Sequence, residues 1–313
     1  MRDEARANEA LRAEWVGWCC SYCAAPLVAR GSGLYCAAEG RWFANLDGVN
    51  RLLPEERRRE LLPFLELYRR ARRDEGWFAE PGLPDVAPGH RYEAVWRLRA
   101  RHFRMALALV GEKLGPGPWR VLEAGAGSSW VSLRLMEAGH SVVATDVSLD
   151  EDDGLIAPNR FLESPALLPR AEAEMEALPF EPALFDLVFV AGALHHAPRL
   201  GRALMEMRRV TRREGLLVIT DSPVYARRAD GEAMVAERME DLGRKYGVAI
   251  PRESQSGYLV AGEMAGAFRS AGWSLEMHGW PGPLQEWGRD VLEIAKHGRR
   301  TARFPVLVGK RDA

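Results

Sequence analysis

Residues 120–130, which read R-V-L-E-A-G-A-G-S-S-W, decide the fold of this 313-residue chain. Their apolar beginning predicts a buried strand that ends at the acidic residue Glu123. The turn that follows contains Gly125 and Gly127, and glycines at these positions let a ligand approach the backbone closely. An apolar helix comes next, and one of the two serines in the turn is its expected cap. Strand, glycine turn and helix in this order predict half of a nucleotide-binding α/β fold.

A second predicted strand, residues 141–145, ends at Asp146, whose carboxylate can accept hydrogen bonds from the hydroxyls of a ribose. Dinucleotide-binding turns have a third glycine where this chain has Trp130, and Glu123 would add a negative charge beside a pyrophosphate. An acidic residue there suits a cationic ligand with an amino group, such as S-adenosylmethionine (SAM). SAM is therefore the expected nucleotide, bound at the ends of these two strands.

Five segments in order resemble the motifs of class I SAM-dependent methyltransferases. They are E-A-G-A-G from Glu123, V-V-A-T-D ending at Asp146, E-M-E-A-L-P-F from Glu174, F-D-L-V-F-V-A-G-A-L-H-H from Phe185, and R-R-V-T-R-R-E-G-L-L-V-I-T-D from Arg208. The resemblance covers about residues 100–313 and departs at one turn, where residues 213–215 replace the usual Pro-Gly-Gly. It implies an α/β fold with a Rossmann-like seven-stranded sheet and helices on both faces, and methyl transfer from SAM.

The resemblance also implies which residues contact the cofactor. Asp146 is the ribose-binding acid, while Glu174 and the next residue frame the adenine. The expected cofactor-binding residues are Glu123, Gly125, Ala126, Gly127, Asp146, Val147, Glu174, Met175 and Ala191.

Candidate catalytic residues lie where the family's substrate-facing loops begin. His195 and His196 follow the fourth strand of the predicted domain, and an imidazole with a pKa of about 6.5 can accept a proton near neutrality. Tyr225, after the fifth strand, is a further candidate. Asp221, at the end of that strand, is more easily explained by a structural role. The alternative for the histidines is a helix cap or a hydrogen-bonded wall of the pocket.

All four cysteines lie in the first part of the chain, at Cys19, Cys20, Cys23 and Cys36. The C-x-x-C pair Cys20 and Cys23, with Cys36 beyond a G-S-G turn, predicts the beginning of a zinc ribbon. This segment is similar to the small ribbon ahead of several bacterial methyltransferases, in which a fourth Cys or His follows the third ligand by three or four residues. Here Glu39 and a glycine stand at those positions. The fourth ligand is therefore Glu39 or Cys19, and the alternative is a degenerate ribbon with free, buried thiols.

Three regions are expected along the chain: an N-terminal ribbon-like segment at 1–53, a helical prelude at 54–114 that packs on the catalytic domain, and the methyltransferase domain at 115–313. Residues 222–259 are predicted to form a lid over the acceptor site, because ligands bind beyond the carboxyl ends of parallel strands. Tyr92 and Arg99 of the prelude either contact the carboxylate of the cofactor or are ordinary core and surface residues.

Two kinds of charged run stand out in the sequence. The arginine clusters at 57–59 and 69–73 are interpreted as solvated helix faces. The acidic loop at 150–153 is interpreted as a solvated turn, with a cation site as the alternative.

Composition limits the functions open to this chain. Its net charge of −1 gives no electrostatic case for a nucleic-acid partner. No apolar run approaches the roughly 18 residues that span a bilayer, and the charged start M-R-D-E-A-R does not resemble a secretory signal, so a cytoplasmic location is expected. Three hypotheses remain: a methyltransferase with a small-molecule acceptor, an RNA (ribosomal RNA) methyltransferase whose ribbon grips RNA, and a non-catalytic SAM-binding protein. The sequence identifies neither the acceptor nor the oligomeric state.

Overall fold

A computed structural model describes residues 15–247, 257–280 and 298–311, together with residues 290, 293 and 294. Its strands are β1 Val28–Arg30, β2 Gly33–Cys36, β3 Arg41–Leu46, β4 Val49–Asn50, β5 Arg120–Ala124, β6 Ser141–Asp146, β7 Arg170–Glu172, β8 Phe185–Ala191, β9 Thr211–Thr220, β10 Val224–Tyr225, β11 Leu259–Val260, β12 Trp273–His278 and β13 Val306–Arg311. Its α-helices are α1 Glu55–Glu75, α2 Glu93–Leu114, α3 Trp130–Glu137, α4 Leu200–Val210, α5 Arg228–Tyr246 and α6 Ala261–Ser270. Single turns of 3₁₀ helix lie at Ala157–Arg160, Pro165–Leu167 and Leu194–His196.

One large sheet has the strand order β1-β2-β3-β4-β7-β6-β5-β8-β9-β13-β12. The neighbours from β7 to β9 are parallel, and β13 is antiparallel to both β9 and β12. These seven strands, β7 to β12 in that order, form the predicted Rossmann-like α/β sheet with its terminal antiparallel hairpin. Parallel strands of this kind are covered on both faces, which explains their nearly continuous apolar sequences.

Helices cover both faces of the sheet because successive side chains of a strand point to opposite sides. On β5, Val121 belongs to a core cluster with α2 and α3, whereas Leu122 belongs to a cluster with α4 and α6. Both side chains are completely buried. The first cluster includes Trp130, whose ring packs against Trp96 and Phe103 with centroids 5.9 Å and 5.3 Å away. The residue that replaces the third glycine of a dinucleotide site is therefore a core residue.

The N-terminal ribbon continues this sheet at its edge. Val49 and Asn50 of β4 pair in parallel with Arg170 and Ala171 of β7. The chain before β1 also contacts the domain, because Trp18 forms an isolated antiparallel bridge with a residue of the loop between β7 and β8. Ribbon and domain therefore share one sheet.

The predicted lid contains α5 at the expected residues and the short parallel pair β10 and β11. Part of the predicted lid loop, residues 248–256, lies outside the described residues. In the described ranges, no helix combines the length and apolar character needed to cross a membrane.

Candidate active site

The glycine turn after β5 brings three strand ends together. The backbone N–H groups of Gly125 and Ala126 donate to the carbonyl of Thr145 on β6 over 2.8 Å and 3.0 Å. Gly125 has a φ of 70°, and a Cβ built on it would lie 2.4 Å from the Cβ of Ala193, beyond β8. The same Cβ would lie 3.6 Å from the Sδ of Met175, beyond β7. Only a glycine allows this approach, so the turn packs directly against Met175 and the residues that follow β8.

Asp146 lies beside this turn with both carboxylate oxygens engaged. Its Oδ2 accepts the N–H of Gly127 over 2.8 Å, and its Oδ1 accepts the N–H of Ser148 over 2.7 Å. Burial raises the pKa of Asp146, and these backbone donors oppose that rise. Each oxygen keeps a second lone pair, so the carboxylate can still accept ribose hydroxyls. Val147 follows it and is half-buried.

Glu123 is 1% exposed and holds the beginning of α3. Its Oε2 accepts the backbone N–H of Ser132 over 2.8 Å and also the hydroxyl of Ser132. The predicted serine cap is not observed, because Ser129 has a φ of 57° and no side-chain cap bond. Its buried hydroxyl has no hydrogen-bond partner among the described residues. The expected contact between Glu123 and the cofactor's amino group stays a prediction.

Burial raises the pKa of Glu123 to about 8, against the two hydrogen bonds from Ser132. The folded chain therefore keeps a proton that the unfolded chain releases above its ordinary pKa of 4.5. The free energy of unfolding is expected to fall as the pH rises from about 4.5 to 8, by at most about 1.4 kcal/mol per pH unit from this group. In Glu123→Gln that part of the slope disappears.

Urea unfolding at several pH values in this window checks the expectation, with Glu137→Gln on the exposed end of α3 as the matched control. All other titrating groups are common to wild type and variant, so the difference in slope reports Glu123 alone. Parallel slopes in wild type and Glu123→Gln would contradict the raised pKa.

Glu174 is held by the helical prelude. The Nε and Nη2 of Arg57 on α1 donate to its two carboxylate oxygens over 3.0 Å and 2.7 Å. This bidentate pair fixes the start of the segment that the family uses to frame the adenine. Met175, the next residue, lies against the glycine turn. The adenine contacts of both residues stay predictions.

Arginines of α1 pair with acidic residues at the ends of β6 and β7, which corrects two sequence interpretations. The acidic loop is not a solvated turn, whereas the arginine clusters are solvated in part. Arg57, Arg58 and Arg72 are half-buried in ion pairs, and the other arginines of the two clusters are exposed. Besides Arg57 with Glu174, the pairs are Arg58 with Glu172 at 2.5 Å, Arg72 with Asp153 at 2.6 Å, Arg73 with Asp152 at 2.8 Å and Arg69 with Asp150 at 3.9 Å. The helix α1 is therefore fastened across the carboxyl ends of the parallel strands, where ligands bind in this fold.

His195 and His196 lie together in the 3₁₀ turn after β8, with ring centroids 4.1 Å apart. The Nδ1 of His195 is 3.3 Å from the Oγ of Ser222, and the ring of His196 meets the edge of Tyr68 from α1 at 6.1 Å. Burial, together with the positive charges of His196, Arg238 and Arg99, holds the pKa of His195 well below its ordinary value. His195 is therefore neutral near pH 7, which is the form that a general base requires, while the same surroundings disfavour its protonated form.

Tyr225 lies elsewhere. It is 3% exposed on β10 and belongs to a small cluster with Tyr258 and Ala302. Its ring meets that of Tyr258 at right angles, with centroids 5.8 Å apart, and its hydroxyl bonds to Arg299. Among the described residues, no contact joins Tyr225 to the histidine pair.

Arg99 of α2 lies near the end of β8. Its Nη2 would lie 3.8 Å from a Cβ built on Gly192, at the end of β8. Its guanidinium lies over the rings of Trp77 and Trp96, at 5.3 Å and 4.7 Å from their centroids. The alternative contact Tyr92 is instead stacked on Trp77 at 3.9 Å, with its hydroxyl donating to the backbone of Glu75. Arg99 therefore places a positive charge beside the end of β8, whereas Tyr92 packs on Trp77.

His102 is a residue near the site that carried no sequence signal. Its Nδ1 lies 2.8 Å from Oδ1 of Asp221, and both side chains are 6% exposed. Asp221 also accepts the hydroxyl of Thr220 over 3.0 Å. The His102–Asp221 pair links α2 to the end of β9, which agrees with the structural role expected for Asp221. A histidine on the apolar face of a helix gives no sign in the sequence of such a distant partner.

Comparison with known proteins assigns the central segment. Residues 122–219 match the sequence family described as "Methyltransferase domain". A ubiquinone/menaquinone biosynthesis C-methyltransferase of Rhizobium leguminosarum bv. trifolii is 34% identical over 119 residues, 37% of this chain and 45% of the relative. A malonyl-[acyl-carrier protein] O-methyltransferase of Pseudescherichia vulneris is 28% identical over 174 residues, 50% of this chain and 66% of the relative. The chain thus spans less than half of the first relative.

Among solved structures, a protein of Galdieria sulphuraria provisionally described as a sarcosine dimethylglycine methyltransferase is similar with a TM-score of 0.54. The similarity covers 79% of this chain and 98% of that chain at 12% identity. At this identity the likeness concerns the fold alone, and it confirms the Rossmann-like architecture. The family match confirms the prediction of a SAM-dependent methyltransferase domain over the central segment.

Proposed function

We propose that this chain, with its methyltransferase domain, transfers the methyl group of SAM to a small-molecule acceptor. The observation that supports this most strongly is the glycine turn closed onto Ala193, with Asp146 beside it and within the matched segment. The names of two relatives point to different acceptor atoms, carbon and oxygen, in a quinone pathway and on a malonyl thioester carrier. The proposal therefore names a class of acceptor and no single reacting atom.

Two groups on different elements bind the cofactor: Asp146 at the end of β6 and Arg99 on α2. Asp146 accepts the ribose hydroxyls, and the Arg99 guanidinium, held by Trp77 and Trp96, pairs with the carboxylate of SAM. The guanidinium is well suited because burial beside aromatic faces makes its charge poorly solvated, so an anion gains more from pairing with it.

Transfer from a bound SAM is an in-line displacement, to which the protein contributes positioning and exclusion of water. The ion pairs of α1 hold a cover across the strand ends and keep solvent out. His195 takes a proton from an acceptor hydroxyl or a similar group, while the Oγ of Ser222 fixes the orientation of its ring. An acceptor without an acidic proton would need only the cover and the cofactor contacts.

Formation of S-adenosylhomocysteine (SAH) tests the proposal. The full chain is incubated with SAM and with cell extract separated into a metabolite fraction and an RNA fraction, and SAH is quantified. We expect SAH to form with the metabolite fraction. Formation with RNA alone would favour the RNA methyltransferase, and SAM binding without turnover in either fraction would favour the non-catalytic protein.

Asp146→Ala is expected to weaken SAM binding by roughly 1–3 kcal/mol, about 5- to 150-fold in Kd, because two ribose hydrogen bonds are lost. Calorimetric titration of the folded variant measures the change. Asp186→Ala is the matched control, since its half-buried carboxylate accepts the N–H of Arg120 at the opposite end of the strands. Equal affinity in Asp146→Ala and wild type would remove Asp146 from the site.

A further inference from the structure

Three thiols gather where the chain before β1 meets the end of β2, outside the site described above. The sulfur atoms of Cys20, Cys23 and Cys36 all lie within 4.8 Å of one another. Those of Cys23 and Cys36 are 3.6 Å apart. Two thiolates bound to one tetrahedral zinc ion by bonds of about 2.3 Å lie roughly 3.8 Å apart, whereas a disulfide requires about 2.05 Å. The observed spacing excludes a covalent bond, and it fits either a hydrogen bond between the two thiols or a shared ion.

Two turns of the ribbon follow the same plan around this cluster. The first covers residues 20–24 and the second residues 36–40. Each begins with a cysteine, and the fifth residue of each has a positive φ, 58° in the first turn and 62° in the second. The fourth residue of the first turn is Cys23. By this correspondence Glu39 holds in the second turn the position of a metal ligand.

Backbone N–H groups of both turns point at the sulfur atoms. Cys23 accepts the N–H of Ala25, and Cys36 accepts those of Ala38 and Glu39. Such donors stabilise a thiolate, which is the form of cysteine that binds metals. The two turns therefore direct backbone donors toward the sulfur atoms, as hydrogen bonds around metal ligands do.

Cys19, the other fourth ligand considered from the sequence, faces away from the cluster. Its backbone N–H donates to the carbonyl of Pro179 over 2.9 Å, and its thiol has Glu181 and Arg209 of the domain as charged neighbours. Adjacent residues of an extended chain point to opposite sides, which explains why Cys20 joins the cluster and Cys19 does not.

We propose that Cys20, Cys23, Cys36 and Glu39 bind one zinc ion, with the carboxylate of Glu39 as the fourth ligand. Zinc accepts carboxylate oxygen beside thiolate sulfur in tetrahedral sites. The carboxylate of Glu39 is not part of the 4.8 Å cluster of the three sulfur atoms, but its side chain is exposed, so it can turn onto the ion without leaving a packed position. The ion fastens the segment that pairs with the domain at Pro179, and its role is structural.

Zinc content of the full chain tests the thiol cluster. Protein purified under reducing conditions is incubated with excess zinc, desalted and analysed for metal. We expect about one zinc per chain in wild type and in the control Cys19→Ser, and loss of the zinc in Cys23→Ser. Less than about a tenth of an equivalent in wild type, a Cys23–Cys36 disulfide, or equal loss in Cys19→Ser would overturn the site.

The role of Glu39 is tested by competition for zinc with a chromophoric chelator. Glu39→Ala is expected to weaken zinc binding by about tenfold or more, since even partners outside the ligand shell cost 10- to 100-fold when removed. Glu39→Cys should bind at least as tightly as wild type, and Glu112→Ala, an exposed change on α2, should match wild type. Identical zinc affinity in Glu39→Ala and wild type would overturn the fourth ligand.

Discussion

Gly125→Val is expected to abolish detectable SAM binding. Its first side-chain carbon would lie 2.4 Å from the Cβ of Ala193, whereas carbon atoms prefer 3.5–4.0 Å. Ala193 is 8% exposed and belongs to a core cluster, so it cannot move aside cheaply. The backbone φ of 70° is also one that a β-branched residue strongly resists. The turn must therefore move, and with it the Gly127 N–H that holds Asp146.

Calorimetry with SAM measures this loss, and a thermal melt shows that the variant is folded. Gly111→Ala on α2 is the matched control, because nothing lies within 4 Å of its added carbon. The milder Gly125→Ala should regain part of its lost affinity when Ala193→Gly is added, since the colliding atom is then removed. Wild-type affinity in folded Gly125→Val would contradict the placement of the cofactor at this turn.

The strands that surround this turn were predictable because they are buried on both faces. The sequence predicts strands at 141–146 and 185–191, and β6 and β8 have these bounds, since a nearly unbroken apolar run with polar ends leaves few alternatives. The sequence predicts the next strand at 216–220, whereas β9 begins five residues earlier, at Thr211. The polar residues 212–214 are exposed there, and a register shift in the pairing with β8 carries the strand past them.

The packing of α1 on the domain was expected of the helical prelude, but its ion pairs were not predictable, although both charged runs were visible in the sequence. Arg72 and Asp153 are 81 residues apart, and a charged run specifies a charge but no partner. Most charged runs are solvated, so the sequence alone favours a solvated surface for both runs. Only the fold brings α1 over the strand ends and makes the two runs complementary.

Some site residues were likewise predictable from the sequence, and others were not. Gly125 and Asp146 lie where their motif implied, because a local turn fixes them against neighbouring strands. Tyr225 instead packs with Tyr258 and Ala302, because β10 pairs with β11. The short-range sequence after β9 contained no sign of that pairing, which depends on residues more than thirty positions later.

His195→Ala is expected to slow methyl transfer by about 10²–10⁴-fold, the usual contribution of a general base, while SAM affinity stays within about threefold. The rate is measured as SAH formation with the metabolite fraction that supports turnover. His278→Ala, at the exposed edge of the sheet on β12, is the control. Tyr225→Phe completes the set, and a loss of rate there comparable to that of His195→Ala would return Tyr225 to the mechanism.

The pH profile separates a base from a wall of the pocket. Because burial and nearby positive charge lower the pKa of His195, its neutral form persists as the pH falls through 6.5, where an ordinary histidine would be half protonated. We therefore expect the rate to stay near its plateau at pH 6 and to decline only below it. If His195 has only a structural role, His195→Ala should show the same pH dependence of the rate as wild type, at a lower rate. If His195 is the base, the decline of the rate at acidic pH should be absent from His195→Ala. A wild-type rate that halves near pH 6.5, or a variant that keeps the decline, would contradict His195 as the base.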